Sequence, residues 1–199
     1  MLTNTDLELA KLRLLGFNCY DISDDIVICM KDTLEILMIP DTVKSLSYDS
    51  VLKINAKLRD YSGSNVNLKV CGGKNLESIS CLLDFVRFNT IDLSELDTSN
   101  VTDMSNMFFG CSANEIDLRS LDTYGVWIMD NMFKSSNIHK LDLSTLKVDK
   151  LCCASDIFHN CISNNIIINK EAFDRINCLN GYAYDAGNSR NIVFNIIDN

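Results

Sequence analysis

IDLSELDTSNVTDMSNMFFGCSANE at 91–115 is followed by two further copies of its pattern, IDLRSLDTYGVWIMDNMFKSSNIHK at 116–140 and LDLSTLKVDKLCCASDIFHNCISNN at 141–165. Each copy begins 25 residues after the one before it. A repeat of roughly 20 to 50 residues is typical of solenoids, in which each unit buries its apolar face against its neighbours. The three copies therefore predict that the chain is built as a solenoid.

Each copy predicts a strand, a turn and a short helix. The copies open with apolar residues on both sides of an aspartate, as at Ile91 and Leu93, which is the alternation of a strand with one buried side. A turn rich in Asp, Thr, Ser and Gly follows. The next apolar positions, which are Val101, Met104 and Met107 in the first copy, are three residues apart and indicate one face of a helix. Stacked units then predict a right-handed α/β solenoid with parallel short strands on one side and helices on the other.

The same register extends in both directions from these copies. Strands are predicted to begin in steps of 25 residues, with a final step of 26 to a closing strand, at Val66, Ile91, Ile116, Leu141, Ile166 and Ile192. The predicted parts are a capping region of helix and strands at 1–65, a repeat solenoid at 66–191 and the closing strand at 192–199. Terminal segments of a solenoid differ from the repeat because they cover its exposed core, so caps are expected at both ends.

The capping region is predicted to contain one amphipathic helix and two strands. Residues 5–15 are predicted to be helical, because Thr5 and Glu8 have the spacing of a capping box. The apolar runs at 26–30 and 34–40 are predicted to be strands or a hairpin. We expect the helix to act as a cap of the solenoid.

Composition favours one compact domain. The chain has 199 residues, of which 47% are apolar and 23% charged, and this is enough to bury a substantial core. No basic start precedes an apolar run of signal-peptide length, and no run reaches about 18 apolar residues, so we expect a cytoplasmic protein without a membrane segment. The nine cysteines are odd in number, and we expect them to be reduced thiols packed in the core.

One phrase of the sequence carries a resemblance to a known family. IDLSELDTSNVTDMSNMFFGC, together with the LDLSTL of the third copy, resembles the leucine-rich repeats of BspA-like bacterial surface proteins and mycoplasma-type lipoproteins. The similarity is specific over 91–137 and is weaker over 66–90 and 141–191. The resemblance implies a leucine-rich-repeat-like solenoid that binds proteins or surfaces and has no catalytic activity.

The outward side of the predicted sheet is the first candidate binding surface. Between the buried pairs, Asp92, Asp117 and Asp142 are expected to stack one above the next, where two carboxylates repel by about 1 kcal/mol even in water-like dielectric. Arg119 is expected to offset part of this repulsion. The face is either an acidic surface for a basic partner or a row of carboxylates that are solvated or hydrogen-bonded locally, as charge runs often are.

Two aromatic residues form the second candidate binding surface. Tyr124 and Trp127 stand where the preceding copy has Ser99 and Thr102. Exposed Tyr and Trp are enriched at binding hot spots. The alternative is that the tryptophan packs over the neighbouring unit, in which case it belongs to the core.

Catalytic and metal-binding motifs are poor in this chain. It has two histidines, and it lacks a glycine-rich phosphate loop, a nucleophile elbow and a paired histidine and carboxylate. The best candidates for metal ligands are Cys152, Cys153, His159 and Cys161. Their spacing matches no standard zinc pattern. We therefore predict a protein that is not an enzyme and holds no cofactor and no metal.

The net charge of −9 bears on the class of partner. Direct nucleic-acid binding is disfavoured, because the phosphate backbone attracts basic surfaces. The first hypothesis is a protein-binding module that acts through its sheet face and turn aromatics. The second is an acidic decoy inhibitor, encoded by a phage or mobile element, that occludes a nucleic-acid enzyme such as a host-defence nuclease. The third is a surface adhesin.

Overall fold

The computed structural model describes residues 4–23, 26–61, 63, 65–179 and 192–198. In these residues the strands form one nine-stranded sheet, in which each strand lies beside the next one along the chain. The strands are β1 (Asn18–Ser23), β2 (Ile26–Lys31), β3 (Leu34–Ile39), β4 (Asn67–Gly72), β5 (Arg87–Leu96), β6 (Ser112–Asp117), β7 (Asn137–Leu143), β8 (Ser163–Asn169) and β9 (Ile192–Ile197). The helices are α1 (Asn4–Leu14), α2 (Tyr48–Tyr61) and α3 (Lys170–Leu179).

The sheet changes from antiparallel to parallel pairing at β3. Strands β1, β2 and β3 pair antiparallel, and every later pair from β3 to β9 is parallel. The chain is therefore a parallel β-solenoid of about five coils that continues from an antiparallel N-terminal sheet.

The predicted register is confirmed through the centre of the sheet. The residues that lie opposite one another in successive strands are Ile91, Ile116, Leu141 and Ile166. All four side chains are buried, as expected when the apolar positions of a one-sided strand face the core. The 25-residue repeat thus stacks identical positions from β5 to β8.

The first and last strands of the array depart from that register. Leu68, and not the predicted Val66, lies opposite Ile91, so the first coil is two residues shorter than the repeat. At the other end, Phe194 lies opposite Ile166, because the last coil contains α3 in place of the shorter segment of the other coils. Both shifts occur where a repeating coil meets a terminal element.

The helices predicted on the side opposite the strands are not formed in the three copies at 91–165, and this part of the predicted fold is corrected. In the unit that begins at Ile166, a helix, α3, does follow the strand. The segment at 101–110 consists of turns and one isolated bridge. Alternate N–H groups from Met104 to Gly110 donate to the next coil, with Asn106 bonded to the Asp130 carbonyl at 2.9 Å and Phe108 to the Met132 carbonyl at 3.0 Å. Met107 and Phe109 donate instead to carbonyls three residues earlier, as in turns. In an α-helix the same groups would donate to carbonyls four residues earlier in their own segment.

Left-handed residues explain why these segments do not wind into helices. Positive φ values between 54° and 63° recur at two places in each coil, first at Cys81, Asn106, Asn131 and Asp156 and then at Phe85, Gly110, Ser135 and Asn160. A left-handed residue ends a right-handed helix, and Asn, Asp and Gly adopt that conformation most readily. The backbone therefore turns twice and bonds between coils.

Two helices close the ends of the solenoid, and each one caps a backbone carbonyl. Helix α2 buries Leu58 completely, and its Asn55 donates an amide N–H to the Cys81 carbonyl at 2.8 Å. Helix α3 places Arg175 Nε at 3.0 Å from the Leu151 carbonyl. These side chains donate hydrogen bonds to backbone carbonyls at the two ends of the stack.

Helix α1 covers the outer face of the sheet. The helix predicted at 5–15 is present as Asn4–Leu14, but its Leu9 is buried against Val27, Cys29 and Met38 in a cluster separate from the main core. The end of the solenoid is covered by α2, which the sequence did not predict.

A column of rings runs through the core. Phe108 stacks on Phe133 with 5.4 Å between ring centroids, and Phe133 stacks on Phe158 at 5.6 Å. The three rings occupy the same position in successive coils, so the repeat itself aligns them. Their stacking ties neighbouring coils together.

The expectation that all cysteines are reduced thiols is wrong for one pair. Cys19 and Cys29 lie opposite each other in the antiparallel pair of β1 and β2 and form a disulfide. Cys111 and Cys161 are free and buried, as expected, whereas Cys152 and Cys178 are free but exposed, so the expectation of core packing is wrong for them. Sequence spacing did not reveal the pair, because its contact depends on the hairpin register.

Candidate functional site

The aspartate row predicted on the sheet face is present. Asp92, Asp117 and Asp142 lie directly opposite one another in β5, β6 and β7. Asp92 is exposed and the other two are half-buried. Lys69 of β4 lies opposite Asp92 and extends the row.

Local hydrogen bonds hold each carboxylate of the row in place. The backbone N–H groups two residues further on, which belong to Ser94, Arg119 and Ser144, donate to the three aspartates at 2.9, 2.9 and 3.0 Å. This local bonding is one of the two alternatives that the sequence left open. The backbone N–H two residues further along therefore fixes the direction in which each carboxylate points.

Arg119 lies between two carboxylates of the row. Its Nη2 is 2.6 Å from Asp117 Oδ2, and its Nε is 3.6 Å from Asp142 Oδ2. The hydrogen bond from Arg119 lowers the pKa of Asp117, and the same contact raises the pKa of the guanidinium. The pKa of Asp92 is also lowered, because hydrogen bonds from Ser94 and the charge of Lys69 outweigh the opposing effect of burial.

Further ion pairs reduce the negative charge of this face. Lys69 pairs with Glu95 at 2.7 Å, and Lys140 pairs with Glu115 at 2.5 Å. Within the described ranges, Asp92 is the member of the row that has no ion pair. The sheet face is therefore a surface of alternating charges rather than a purely acidic one.

A row of polar amides at the start of the strands was missed by sequence reasoning. The Asn114 amide donates to Asn89 Oδ1 at 2.7 Å, and the Asn89 amide donates to Asn67 Oδ1 at 2.9 Å. Asn89 and Asn114 are 25 residues apart, and that recurrence was a signal for the row. These amides bond to each other along the stack and stiffen one edge of the sheet face.

Both candidate aromatic residues are exposed on the turn that follows β6. The exposed fraction is 55% for Tyr124 and 53% for Trp127. Lys150 Nζ lies 5.0 Å from the centroid of the Tyr124 ring, within the range of a cation–π contact. Of the two alternatives for Trp127, the accessible position and not the core position is observed.

The backbone beneath Trp127 is held from both neighbouring coils. Its N–H donates to the Thr102 carbonyl at 2.8 Å, and its carbonyl accepts the N–H groups of Cys152 at 2.9 Å and Cys153 at 3.1 Å. The ring thus projects from a residue whose own N–H and carbonyl are both hydrogen-bonded to neighbouring coils. The sheet-face residues lie together on adjacent strands, whereas the two aromatic residues lie on a turn.

A groove of about 450 Å³ lies between α1 and the strands β3 to β5. Leu12, Met38 and Cys71 line it, and the pair of Lys69 and Glu95 lies at its wall. Burial raises the pKa of the Cys71 thiol to about 11, so this thiol is protonated at neutral pH and is a poor nucleophile. The groove was not predicted, because it is made by a helix that folds back over the sheet.

Metal ligation was weighed for Cys152, Cys153, His159 and Cys161. Cys161 is buried, with its Sγ 3.2 Å from Ser136 Oγ, whereas Cys152 is exposed. Among the residues that the structure describes, no three or more His, Cys, Asp or Glu side chains are grouped so as to hold a metal ion. The same residues include no helix long and apolar enough to cross a membrane.

Comparison with known proteins gives one match. The sequence profile of the family described as "Mycoplasma protein of unknown function, DUF285" matches residues 75–191. No curated protein and no solved structure matches the chain. The matched range contains the repeating coils and both candidate surfaces of the turn and sheet.

Proposed function

This chain belongs to the family described as "Mycoplasma protein of unknown function, DUF285", and from that premise we propose that it is a non-catalytic protein-binding module. The family description assigns no activity. The resemblance of 91–137 to BspA-like leucine-rich repeats supports the proposal, since that resemblance implies binding of proteins or surfaces. The proposed contact surface consists of Tyr124 and Trp127, with the charged sheet face as a second part.

Exposed aromatic rings on a fixed backbone carry this proposal. Trp127 exposes about half of its surface although the chain has a large core in which to bury it. Large rings held on a rigid segment lose little conformational entropy when a partner covers them. They are also the residue types enriched among binding hot spots.

The experiment compares capture of partners by wild-type protein and by Trp127→Ala, using an extract of the native host and mass spectrometry. Tyr48→Ala is the matched control, because Tyr48 is 77% exposed on α2, away from the proposed surface. We expect a partner that binds wild type and the control but loses about tenfold or more in affinity with Trp127→Ala. The melting temperature should stay unchanged. Unfolding of Trp127→Ala, or equal capture by all three proteins, would contradict the proposal.

The acidic decoy remains a second hypothesis with a distinct signature. A decoy that imitates a phosphate backbone binds its target by long-range electrostatic attraction. Its affinity therefore falls steeply as the salt concentration rises, and DNA or RNA competes with it for the target. The ion pairs of Arg119, Lys69 and Lys140 weaken that field on the sheet face. We therefore expect weak salt dependence and no competition by nucleic acid.

A surface adhesin is favoured by one observation, the disulfide between Cys19 and Cys29. Disulfides persist in oxidising environments and are rare in the cytosol. The first expectation was a cytoplasmic protein, and the two locations are distinguished by labelling intact host cells with an antibody to this chain. Labelling of intact cells supports the adhesin, and labelling only after lysis supports the cytoplasmic module.

A further inference from the structure

Cys152 and Cys153 form a pair of adjacent thiols that the repeat does not account for. The preceding copy has Trp127 and Ile128 at these positions. Both cysteine N–H groups donate to the Trp127 carbonyl, and Cys152 Sγ lies 3.4 Å from the same oxygen. The two sulfur atoms are 3.7 Å apart on the surface. The neighbouring coil therefore holds both thiols on one side of the chain.

That sulfur separation suits chelation of one atom. A zinc ion bound by thiolates lies about 2.3 Å from each sulfur. At this bond length a separation of 3.7 Å corresponds to an S–metal–S angle of about 107°, close to tetrahedral. A linear arrangement would need sulfurs about 4.6 Å apart. The pair is thus spaced for a tetrahedral or pyramidal centre.

Closure of the pair to a disulfide is disfavoured by covalent geometry. Consecutive Cα atoms lie about 3.8 Å apart across a trans peptide bond, below the range of about 4.4 to 6.8 Å in ordinary disulfides. Strained disulfides are more easily reduced. Cys152 and Cys153 are free thiols in the structure, with their sulfur atoms 3.7 Å apart.

We propose that Cys152 and Cys153 are a dithiol site that chelates one soft, thiophilic centre, either a d10 metal ion or a trivalent arsenical, through both sulfurs. With a metal ion, two S–H bonds break, two S–metal bonds form and two protons pass to solvent. With an arsenical that carries an As=O group, the two protons leave with the oxygen as water. Neither reaction needs an oxidant or a reductant.

The protein contains its own reporter for this site. Trp127 is the single tryptophan of the chain, and its carbonyl accepts hydrogen bonds from both cysteines. We expect a heavy atom bound by the two sulfurs to change the fluorescence of Trp127, because that residue lies on the adjacent coil and its carbonyl contacts both cysteines. Binding to other thiols, such as exposed Cys178 on α3, is distinguished by substitution.

The experiment titrates purified full-length protein with phenylarsine oxide in one arm and Cd²⁺ in the other. Tryptophan fluorescence gives the affinity, and native mass spectrometry gives the number of bound groups. The variants are Cys152→Ser, Cys153→Ser and the matched control Cys178→Ser, each checked by circular dichroism for folding. We expect one bound group in wild type and in the control, and a loss of about tenfold or more in affinity in either dithiol variant.

The two arms and the variants separate the outcomes. Binding of both probes supports a site for either source of soft centre, and binding of phenylarsine oxide alone supports the arsenical. Binding of Cd²⁺ alone supports the metal ion. Absence of binding in both arms, or equal affinity in wild type and both dithiol variants when these are folded, overturns the proposal. Because Trp127 is unchanged in every variant, failure here leaves the proposed partner surface intact.

Discussion

Glu35 on β3 is a carboxyl group placed in the core. It is 2% exposed, and neither oxygen has a hydrogen-bond partner among the described residues. Burial raises its pKa from 4.5 to about 7, although the charge of Lys57 opposes that rise. The folded protein therefore holds this proton more tightly than the unfolded chain does. Its stabilising contribution is complete below about pH 4.5 and is lost as the pH rises through about 7.

Replacement of Glu35 by glutamine should flatten this dependence on pH. In wild type we expect the free energy of unfolding to fall by about 2 to 3 kcal/mol from this group between about pH 5 and pH 8. Glu35→Gln cannot ionise, so it should lack that part of the decrease. Urea unfolding of both proteins across this pH range measures the difference. Parallel pH profiles would show that the carboxyl is not held neutral by burial.

Arg119 has a role in the aspartate row that can be measured on single carboxyl groups. Its hydrogen bond is the largest cause of the lowered pKa of Asp117. Arg119→Ala should therefore raise the pKa of Asp117 toward its ordinary value, as followed by carbon NMR titration. Asp97 is the internal control, because its lowered pKa comes from hydrogen bonds with Ser99. If Asp97 and Asp117 respond alike, the change is global and not due to the ion pair.

At the scale of elements, the stacking of the repeat strands could be predicted from sequence and the segments opposite them could not. The exact bounds were wrong, since β5 to β8 begin three or four residues before the predicted starts and β1 was not predicted. Alternation around Ile91 and Ile116 permits a strand with one buried side and fixes which residues stack. Apolar residues three apart, as at Met104 and Met107, fit both a helix and a pair of turns, so spacing cannot separate them. The deciding signal was the recurrence of Asn and Asp at the left-handed position, typified by Asn106 with φ of 56°.

Substitution at one of the left-handed positions tests whether these residues stabilise the turns opposite the strands. Asn131 has φ of 56°, a conformation that costs most residues about 1 to 2 kcal/mol. Asn131→Ala should lower the free energy of unfolding by about 1 kcal/mol, whereas Asn131→Gly should leave it nearly unchanged, since glycine adopts positive φ freely. Urea unfolding of the two variants measures this. If alanine and glycine have equal effects, the side chain of Asn131 and not its backbone matters.

At the scale of the whole molecule, each coil is stabilised by its contacts with the neighbouring coils. In a solenoid each unit contacts only its neighbours, so terminal contacts decide where unfolding begins. Asn55 on α2 and Arg175 on α3 bind carbonyls at opposite ends of the stack. Removal of either contact should loosen its own end first.

Amide hydrogen exchange measures which end of the solenoid opens first. Asn55→Ala removes the amide hydrogen bonds to the Cys81 carbonyl and to Asp84 Oδ1, while the Asp84 N–H still donates to that carbonyl at 3.3 Å. The loss of these two bonds costs about 1 to 3 kcal/mol and should speed exchange in β4 more than in β8. Arg175→Ala is the matched variant at the other end and should speed exchange in β8 more than in β4. Uniform acceleration in both variants would indicate that the solenoid opens as a single unit.

The candidate site was predictable to the extent that it depends on the repeat. The aspartate row and its neighbour Arg119 follow from stacking of equal positions, and the register confirms that stacking. The groove against α1 and the pairing of Cys19 with Cys29 depend on segments outside the repeat. Their contacts join distant or non-periodic positions, for which a single sequence carries no spacing signal.

Because its coils are equal in length, this protein should lengthen in equal steps when it is pulled. Because each coil holds only its neighbours, a pull on the two ends detaches coils one after another. Each released coil of 25 residues lengthens the tether by roughly 85 Å. The loop closed by the disulfide between Cys19 and Cys29 cannot be extended while that bond is intact. Extension therefore comes from the coils and proceeds in steps of equal length.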